Sequence, residues 1–228
     1  IDIPIEQLPE KMVMHGLGVE SIDRVYAAYD KVVVGRLNSI DQHPNADRLK
    51  LCTVDLGSRL AKIITAAPNV YEGMICPVAQ DETPLPNGKY IKAGEMRGEV
   101  SEGMLCSGDE LQIVESECKG ASVDGILDMG EAYADMLGQP FFQAIGLDDY
   151  VIDFEIGANR GDCMNIIGIA REISAALGTQ FREPELSYKP QGGKAAEYVK
   201  IDVRDTDLCP RYSARVITDI QIADSPIW

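Results

Sequence analysis

Apolar residues recur along this chain with two different spacings. Near the N-terminus, Ile5, Leu8 and Met12 lie three and four residues apart, which predicts a short helix over residues 5–15 that ends at Gly16 and Gly18. From Lys31 onward the apolar positions form short β-branched or alternating runs bounded by turn residues, which is typical of strands. The predicted strands are 32–35, 50–56, 62–66 and 74–79. Short strands separated by turns at this spacing predict a small closed β-barrel.

The segment after these strands is rich in turn residues. Pro77 interrupts the fourth strand and predicts an edge strand or a bulge there. Residues 84–88 form a strong turn signal, and residues 92–100 are predicted to be a charged, Gly-rich loop before an apolar run at 104–106. Residues 120–140 are rich in Gly and Asp, and we expect them to lead out of the barrel.

The last third of the chain returns to regular patterns. Residues 150–156 alternate as one half-buried strand. A helix is predicted after residues 159–162, ending at Gly178, with an apolar face of Ile166, Ile169, Ala170, Ile173 and Leu177. After a Pro/Gly/Lys-rich linker at 183–194, two further strands are predicted at 198–202 and 212–217. We expect them to form an isolated hairpin or to pair with a neighbouring copy.

Composition adds limits to this picture. The 228 residues are 45% hydrophobic and 25% charged, as in ordinary globular proteins, and contain no apolar run of about 18 residues that would predict a membrane-spanning helix. The six cysteines form no CxxC pair and there are only two histidines, which disfavours a zinc site and predicts reduced, buried thiols of a cytoplasmic protein. No catalytic motif is present either, so we expect neither catalytic nor metal-binding residues.

The net charge of −16 restricts how this chain could bind a nucleic acid. Binding to a polyanion normally uses a basic surface, so any RNA contact would need a local basic strip on an acidic body. Lys89, Lys92 and Arg97 could form such a strip with Lys62 nearby, but acidic residues are interleaved with them, and a solvated loop is the alternative. Only Tyr71, Tyr90 and Tyr133 could stack on bases within the barrel, since the four phenylalanines are expected outside it, so recognition of RNA shape and backbone fits better.

Two short segments carry the most specific signal. The first is His43–Leu49, in which Asn45 and Asp47 are turn formers that would present Arg48 and Lys50; His43 reads as a turn residue, because no partner for a general base is apparent. The second is Ser101–Cys106, in which Gly103 permits an unusual backbone conformation or a close approach. Each segment could equally be a structural connection.

A family resemblance gives these segments a context. HPNADRLKLCTVDLG, ITAAPNVYEGM, LPNGKYIKAGEMRG and SEGMLCS resemble, in this order, a tRNA-binding module of the oligonucleotide-binding fold. The flanks, including Asn159-Arg160-Gly161-Asp162-Cys163, resemble the split first domain of the bacterial phenylalanyl-tRNA synthetase beta chain. Two departures are Thr65-Ala66 where Cys-Gly is usual and Ala158 where Pro is usual; both are read as tolerated swaps of small residues.

The resemblance implies an α+β fold in three parts. A barrel at residues 31–142 would be inserted in a small helix–sheet domain formed by residues 1–30 and 145–188, and residues 195–228 would be the truncated start of an editing domain. The chain would then be an N-terminal fragment, itself catalytically inert and without a cofactor. The full family enzyme joins phenylalanine to tRNA with ATP and magnesium as an α2β2 assembly, so the implied partners are tRNA and the alpha subunit, with neither DNA nor a membrane.

The residues that this interpretation would bring to tRNA are Asn45, Arg48, Lys50, Lys62, Lys89, Lys92, Arg97 and Ser101. Two other functions compete with it. One is a protein–protein scaffold without RNA contact, favoured by the acidic charge and the few aromatic residues. The other is a free-standing tRNA-binding protein, which the matching flanks disfavour.

Overall fold

The structure is a computed structural model that describes residues 3–185 and 187–223. The described residues divide into two compact units, residues 3–159 and residues 160–223. In the first unit, helix α1 (Leu8–Met14) follows a 3₁₀ turn at Ile5–Gln7 and ends before Gly16, whose φ is +79°. The predicted N-terminal helix is therefore confirmed, with Leu8 and Met12 buried.

Strand β1 (Gly18–Arg24) was not predicted from the sequence, because its polar residues hide the alternation. It pairs antiparallel with β11 (Tyr150–Glu155), the strand predicted at 150–156. Arg24 supports this pairing by bonding Asp148 and Asp30, each at 2.7 Å. The two strands join chain segments on either side of the barrel, while the division into three domains stays a prediction.

The central sheet contains the four strands predicted from the sequence and one more. Their bounds are β2 (Val32–Gln42), β3 (Lys50–Asp55), β4 (Leu60–Thr65), β5 (Ile75–Gln80) and β10 (Gly103–Leu105). All neighbours are antiparallel in the order β10-β5-β2-β3-β4. The sheet curls until β4 approaches β10, where the Glu102 amide donates to the Lys62 carbonyl at 2.8 Å. This is the nearly closed barrel that the sequence predicted.

Between β5 and β10 the chain forms two small hairpins, and helices follow β10. The hairpin strands are β6 (Thr83–Pro84) with β7 (Tyr90–Ile91), and β8 (Gly94–Met96) with β9 (Glu99–Ser101). The helices are α2 (Gly108–Leu111) and α3 (Phe141–Ala144), with 3₁₀ turns at Ala27–Tyr29 and Glu131–Met136. Ser107 and Glu110 form a capping box that starts α2.

The barrel sheet is buried on both faces along β2 and β5. Val33, Leu37, Cys76 and Val78 point into the barrel core. Alternate residues of the same strands point outward into a second core beneath residues 106–147, where they pack with Phe141 and Phe142. Phe141 and Phe142 therefore lie outside the barrel core, as expected, but they pack against the outer face of its sheet, and residues 120–140 cover the barrel rather than simply leaving it.

Pro77 does not mark an edge strand, because β5 lies between β10 and β2. The structure accommodates its missing N–H where β10 ends. The Cys106 amide donates to the Pro77 carbonyl at 2.9 Å. A residue other than proline at position 77 would donate its own N–H to the Cys106 carbonyl. Here that carbonyl accepts from the Leu127 amide at 3.0 Å instead. A residue of the covering segment thus replaces the absent donor.

The second unit contains the predicted C-terminal helix, α4 (Ile166–Leu177). The Asn165 side chain caps it by accepting from the Gly168 amide at 2.9 Å, and Gly178 ends it with φ +64°. Ile166, which the pattern placed on the apolar face, is 88% exposed.

The two strands predicted at 198–202 and 212–217 are wrong. Residues 198–223 contain no strand. The last regular element before them is a 3₁₀ turn at Ala195–Glu197. Apolar side chains there, such as Leu208 and Ile217, stay exposed, so local pattern alone has no partner surface on which to form a sheet. Within the described residues, no helix combines the length and the apolar character needed to cross a membrane.

Candidate nucleic-acid interface

Two loops meet at one end of the barrel. The first loop, residues 43–49, joins β2 to β3, and the second loop, residues 81–102, joins β5 to β10 and contains both small hairpins. The corresponding two loops are the ones with which oligonucleotide-binding barrels hold their ligands. The Gln42 side chain shapes the first loop by donating to the carbonyls of Ala46, Asp47 and Leu49 at 3.0–3.2 Å.

His43 ties the two loops together. Its ring is 2% exposed, its Nδ1 accepts from the Asn45 amide at 3.1 Å, and its Nε2 lies 3.1 Å from the Met96 carbonyl in the second loop. Because Nδ1 accepts from an N–H, the proton of the neutral ring is assigned to Nε2, which donates to Met96. The turn role expected for His43 is therefore extended by a long-range contact that sequence reasoning missed.

Asn45 adds a second tie between the loops. Its amide Nδ2 donates to the Arg97 carbonyl at 2.9 Å. Arg97 and Gly98 form the tip of the β8–β9 hairpin with φ of +54° and +95°, so this carbonyl is aimed by a tight turn in left-handed geometry. In the sequence, Gly98 after Arg97 is the feature that could have identified this turn. We call the His43–Met96 and Asn45–Arg97 contacts together the loop latch.

The Ser101–Gly103 segment closes the barrel against β4, and we call its contacts with β4 the barrel seam. The buried Ser101 hydroxyl accepts from the Ile64 amide at 3.0 Å and donates to the Gly103 carbonyl at 2.9 Å. The Glu102 carboxylate accepts from the Lys62 amide at 2.7 Å and from Arg59 at 3.1 Å. A Cβ on Gly103 would lie 2.3 Å from the Ala79 carbonyl oxygen, so this glycine serves a close backbone approach.

The eight residues predicted to contact tRNA fall into two groups. Five already have partners within the protein. Ser101 is 5% exposed in the barrel seam, and Asn45 belongs to the loop latch. Lys50 donates to the carbonyls of Ala67 and Pro68, Lys62 pairs with Glu99, and Lys89 pairs with Glu110. The other three are exposed and form no ion pair with any described residue: Arg48, Lys92 and Arg97.

The three uncompensated cations lie on the latched loops. Arg48 is on the first loop, Arg97 is at the hairpin tip that the first loop holds, and Lys92 precedes the same hairpin. We call these three side chains the cationic edge. Because Asp47, Glu95 and other carboxylates lie on the same two loops, the edge can offer local phosphate contacts but not a broad basic surface.

The cysteines do not supply a nucleophile to this site. Five of the six thiols are buried, and all six are free. Burial raises the pKa of Cys106 to about 12 and raises the pKa of Cys76 well above its ordinary range, so both are neutral thiols at physiological pH.

One acidic group in the second unit has the composition of a metal site. Asp162, Cys163 and Glu172 lie together, but the Arg160 guanidinium is among them. Its Nη2 lies 3.0 Å from an Asp162 oxygen, 3.0 Å from the Cys163 sulfur and 2.7 Å from a Glu172 oxygen. These residues do not fit a magnesium ion, because the cation they hold is the guanidinium of Arg160.

Comparisons with known proteins agree with the barrel and its loops. Residues 32–131 match the family described as "Putative tRNA binding domain". The whole chain aligns with the phenylalanine–tRNA ligase beta subunit of Syntrophus aciditrophicus at 37% identity and with that of Clostridium acetobutylicum at 39%, covering 27% and 28% of their lengths. The chain thus spans a little over a quarter of these relatives.

A solved structure, the C-terminal domain of Plasmodium vivax p43, matches 34% of this chain and 45% of its own length at 20% identity, with a TM-score of 0.27.

Proposed function

We propose that this chain is the N-terminal part of a phenylalanine–tRNA ligase beta subunit and contributes an auxiliary tRNA contact, because its whole length aligns with such subunits at 37% and 39% identity and residues 32–131 match a tRNA-binding family. The observation that carries the proposal is the cationic edge: Arg48 and Arg97 form no ion pairs with described residues and lie on the two loops that the loop latch joins. Arg48, Lys92 and Arg97 bind tRNA phosphates, while Asn45 positions Arg97.

The other predicted residues have supporting roles in this proposal. Lys50, Lys62 and Lys89 stabilise the loops through their present partners, and Ser101 stabilises the seam. Contacts of this kind fix the position of an RNA without reading its bases.

The proposal extends to the assembly in which the chain acts. The whole beta subunit would work in the cytoplasm with a synthetase alpha subunit, as an α2β2 enzyme that joins phenylalanine to tRNA with ATP and magnesium. ATP and magnesium would bind outside this chain, and the chain's own contribution would be to position tRNA and to support the assembly.

Salt-dependent binding of unfractionated tRNA to the 228-residue chain tests the contact. Two or three phosphate contacts predict that log affinity falls against log salt concentration with a slope of about −2 to −3. Arg97→Gln and Arg48→Gln should each weaken binding and reduce the slope by about 1. Lys119→Gln is the matched control, because Lys119 is also exposed and forms no ion pair in the described part of the chain, but lies outside both loops.

Absence of tRNA binding at low salt would overturn the proposal and favour the scaffold function. Binding that Lys119→Gln weakens as much as Arg97→Gln does would also contradict it, since the contact would then not be local to the latched loops.

A further inference from the structure

A groove of about 480 Å³ runs beside the cationic edge, within the first unit. Its floor is apolar, formed by residues such as Ile64, Met104 and Ile126, and its walls are the end of β4 and the second loop. Met96, whose carbonyl accepts from His43, lines it as well. The loop latch therefore fixes one wall of the groove, and the groove is continuous with the cationic edge.

Tyr90 offers this groove an aromatic face. Its side chain lines the groove and is 62% exposed. The other two tyrosines considered from the sequence are used elsewhere, since the Tyr71 hydroxyl donates to Asp128 at 2.6 Å and Tyr133 packs against the second core. An exposed tyrosine ring in an apolar groove is the kind of surface on which a nucleobase stacks.

Polar side chains that line the groove can bond to the edge of a base. The Thr65 hydroxyl accepts from the Ala67 amide at 3.1 Å, which leaves its own proton for an acceptor. Glu95 also lines the groove and can accept from an amino group, while its charge repels phosphate. Lys92 stands at the rim without an ion pair to a described residue and can hold a phosphate outside the groove.

We propose that the groove binds one unpaired base of an RNA, stacked on Tyr90, with the phosphate of that nucleotide at Lys92. The inference rests on the proposed function, because the same RNA must be held by the cationic edge. An unpaired base is required because a paired base keeps its edges and faces in the stack.

Binding of unfractionated tRNA and of a short single-stranded RNA to the 228-residue chain tests the groove. Tyr90→Ala should weaken binding of both by about 5- to 100-fold, the range of one base–aromatic stack. Tyr90→Phe should bind within about twofold of the parent, because it keeps the ring. Tyr71→Ala, which removes another exposed tyrosine, should also stay within about twofold of the parent.

Photocrosslinking with RNA that contains 4-thiouridine provides a readout of position, and the crosslinked peptide should contain Tyr90. Thermal melting of each variant reports whether the fold is intact, and an exposed tyrosine should change it little.

Three results would overturn this inference in distinguishable ways. If Tyr90→Ala binds like the parent while Arg97→Gln binds weakly, the groove is empty and the proposed function stands. If Tyr90→Phe loses as much affinity as Tyr90→Ala, the hydroxyl acts and stacking does not. If the parent chain binds no RNA at low salt, the proposed function fails and this inference fails with it.

Discussion

The two halves of the barrel sheet are built differently. Strands β2 and β5 are covered on both faces, by the barrel core on one side and by the Phe141 and Phe142 core on the other. Strand β4 and the second loop are covered less completely and are joined by hydrogen bonds that the Lys62 and Ile64 amides donate to the Glu102 and Ser101 side chains. Burial is concentrated in the first half, whereas Lys92, Arg97 and the groove lie in the second, so the doubly covered half acts as the support for the loops.

The largest effect should come from opening the second core. Phe141 is 0% exposed, and Phe141→Ala should lower the free energy of unfolding by about 3–5 kcal/mol through lost burial and a residual cavity. Urea denaturation followed by circular dichroism measures it. Val100→Ala, at a side chain 53% exposed on β9, should change stability by less than about 0.5 kcal/mol. Equal losses in the two variants would contradict the difference between the halves.

A smaller effect is expected at the barrel seam. Ser101→Ala removes the acceptor of the Ile64 amide and should cost about 1–3 kcal/mol, because a buried N–H is left without a partner. Ser58→Ala, at an exposed serine in the β3–β4 turn, is the control and should be neutral within about 0.5 kcal/mol. If Ser101→Ala is equally neutral in urea denaturation, the seam does not depend on this hydroxyl.

The smallest effect is expected for Glu110, which lies in α2 and pairs with Lys89 of the second loop. Burial acts to raise the pKa of Glu110, but hydrogen bonds from the Ser107 amide and from Lys89 outweigh it and hold the pKa below its ordinary value of 4.5. A carboxylate with a lowered pKa stabilises the fold above its unfolded pKa and loses that contribution as the pH falls through the folded pKa.

The parent should therefore be more stable than Glu110→Gln at pH 7, by less than about 1 kcal/mol, and the two should converge as the pH falls through the lowered pKa of folded Glu110. Parallel denaturation of both proteins across this pH range measures the difference. A gap that stays constant with pH would mean that the charge of Glu110 contributes nothing.

The sequence predicted the barrel strands because local pattern reflects local burial. The runs at 50–56 and 62–66 emerged as β3 and β4 almost at the predicted bounds. Pro77 was misjudged because its compensation comes from Leu127, fifty residues further along the chain. Residues 198–223 were misjudged because a strand pattern needs a partner strand, and none is supplied by the part of the chain that the structure describes.

The sequence predicted only part of the candidate site. Residue type identified the cations, but whether a lysine is free depends on a carboxylate distant in sequence, as the Lys89–Glu110 pair illustrates. His43 and Met96 could not be connected by any local rule. Tyr90 was noticed as an aromatic residue, yet only the structure shows that it lines a groove.

The loop latch also has a consequence for the order in which the molecule becomes competent. Its His43–Met96 contact spans 53 positions of sequence, so neither loop has its final shape until the strands between them have paired. A nascent chain that has been translated only through the first loop presents Arg48 without Arg97. The proposed RNA contact would therefore form only in the finished barrel, and immature chains would not compete with it.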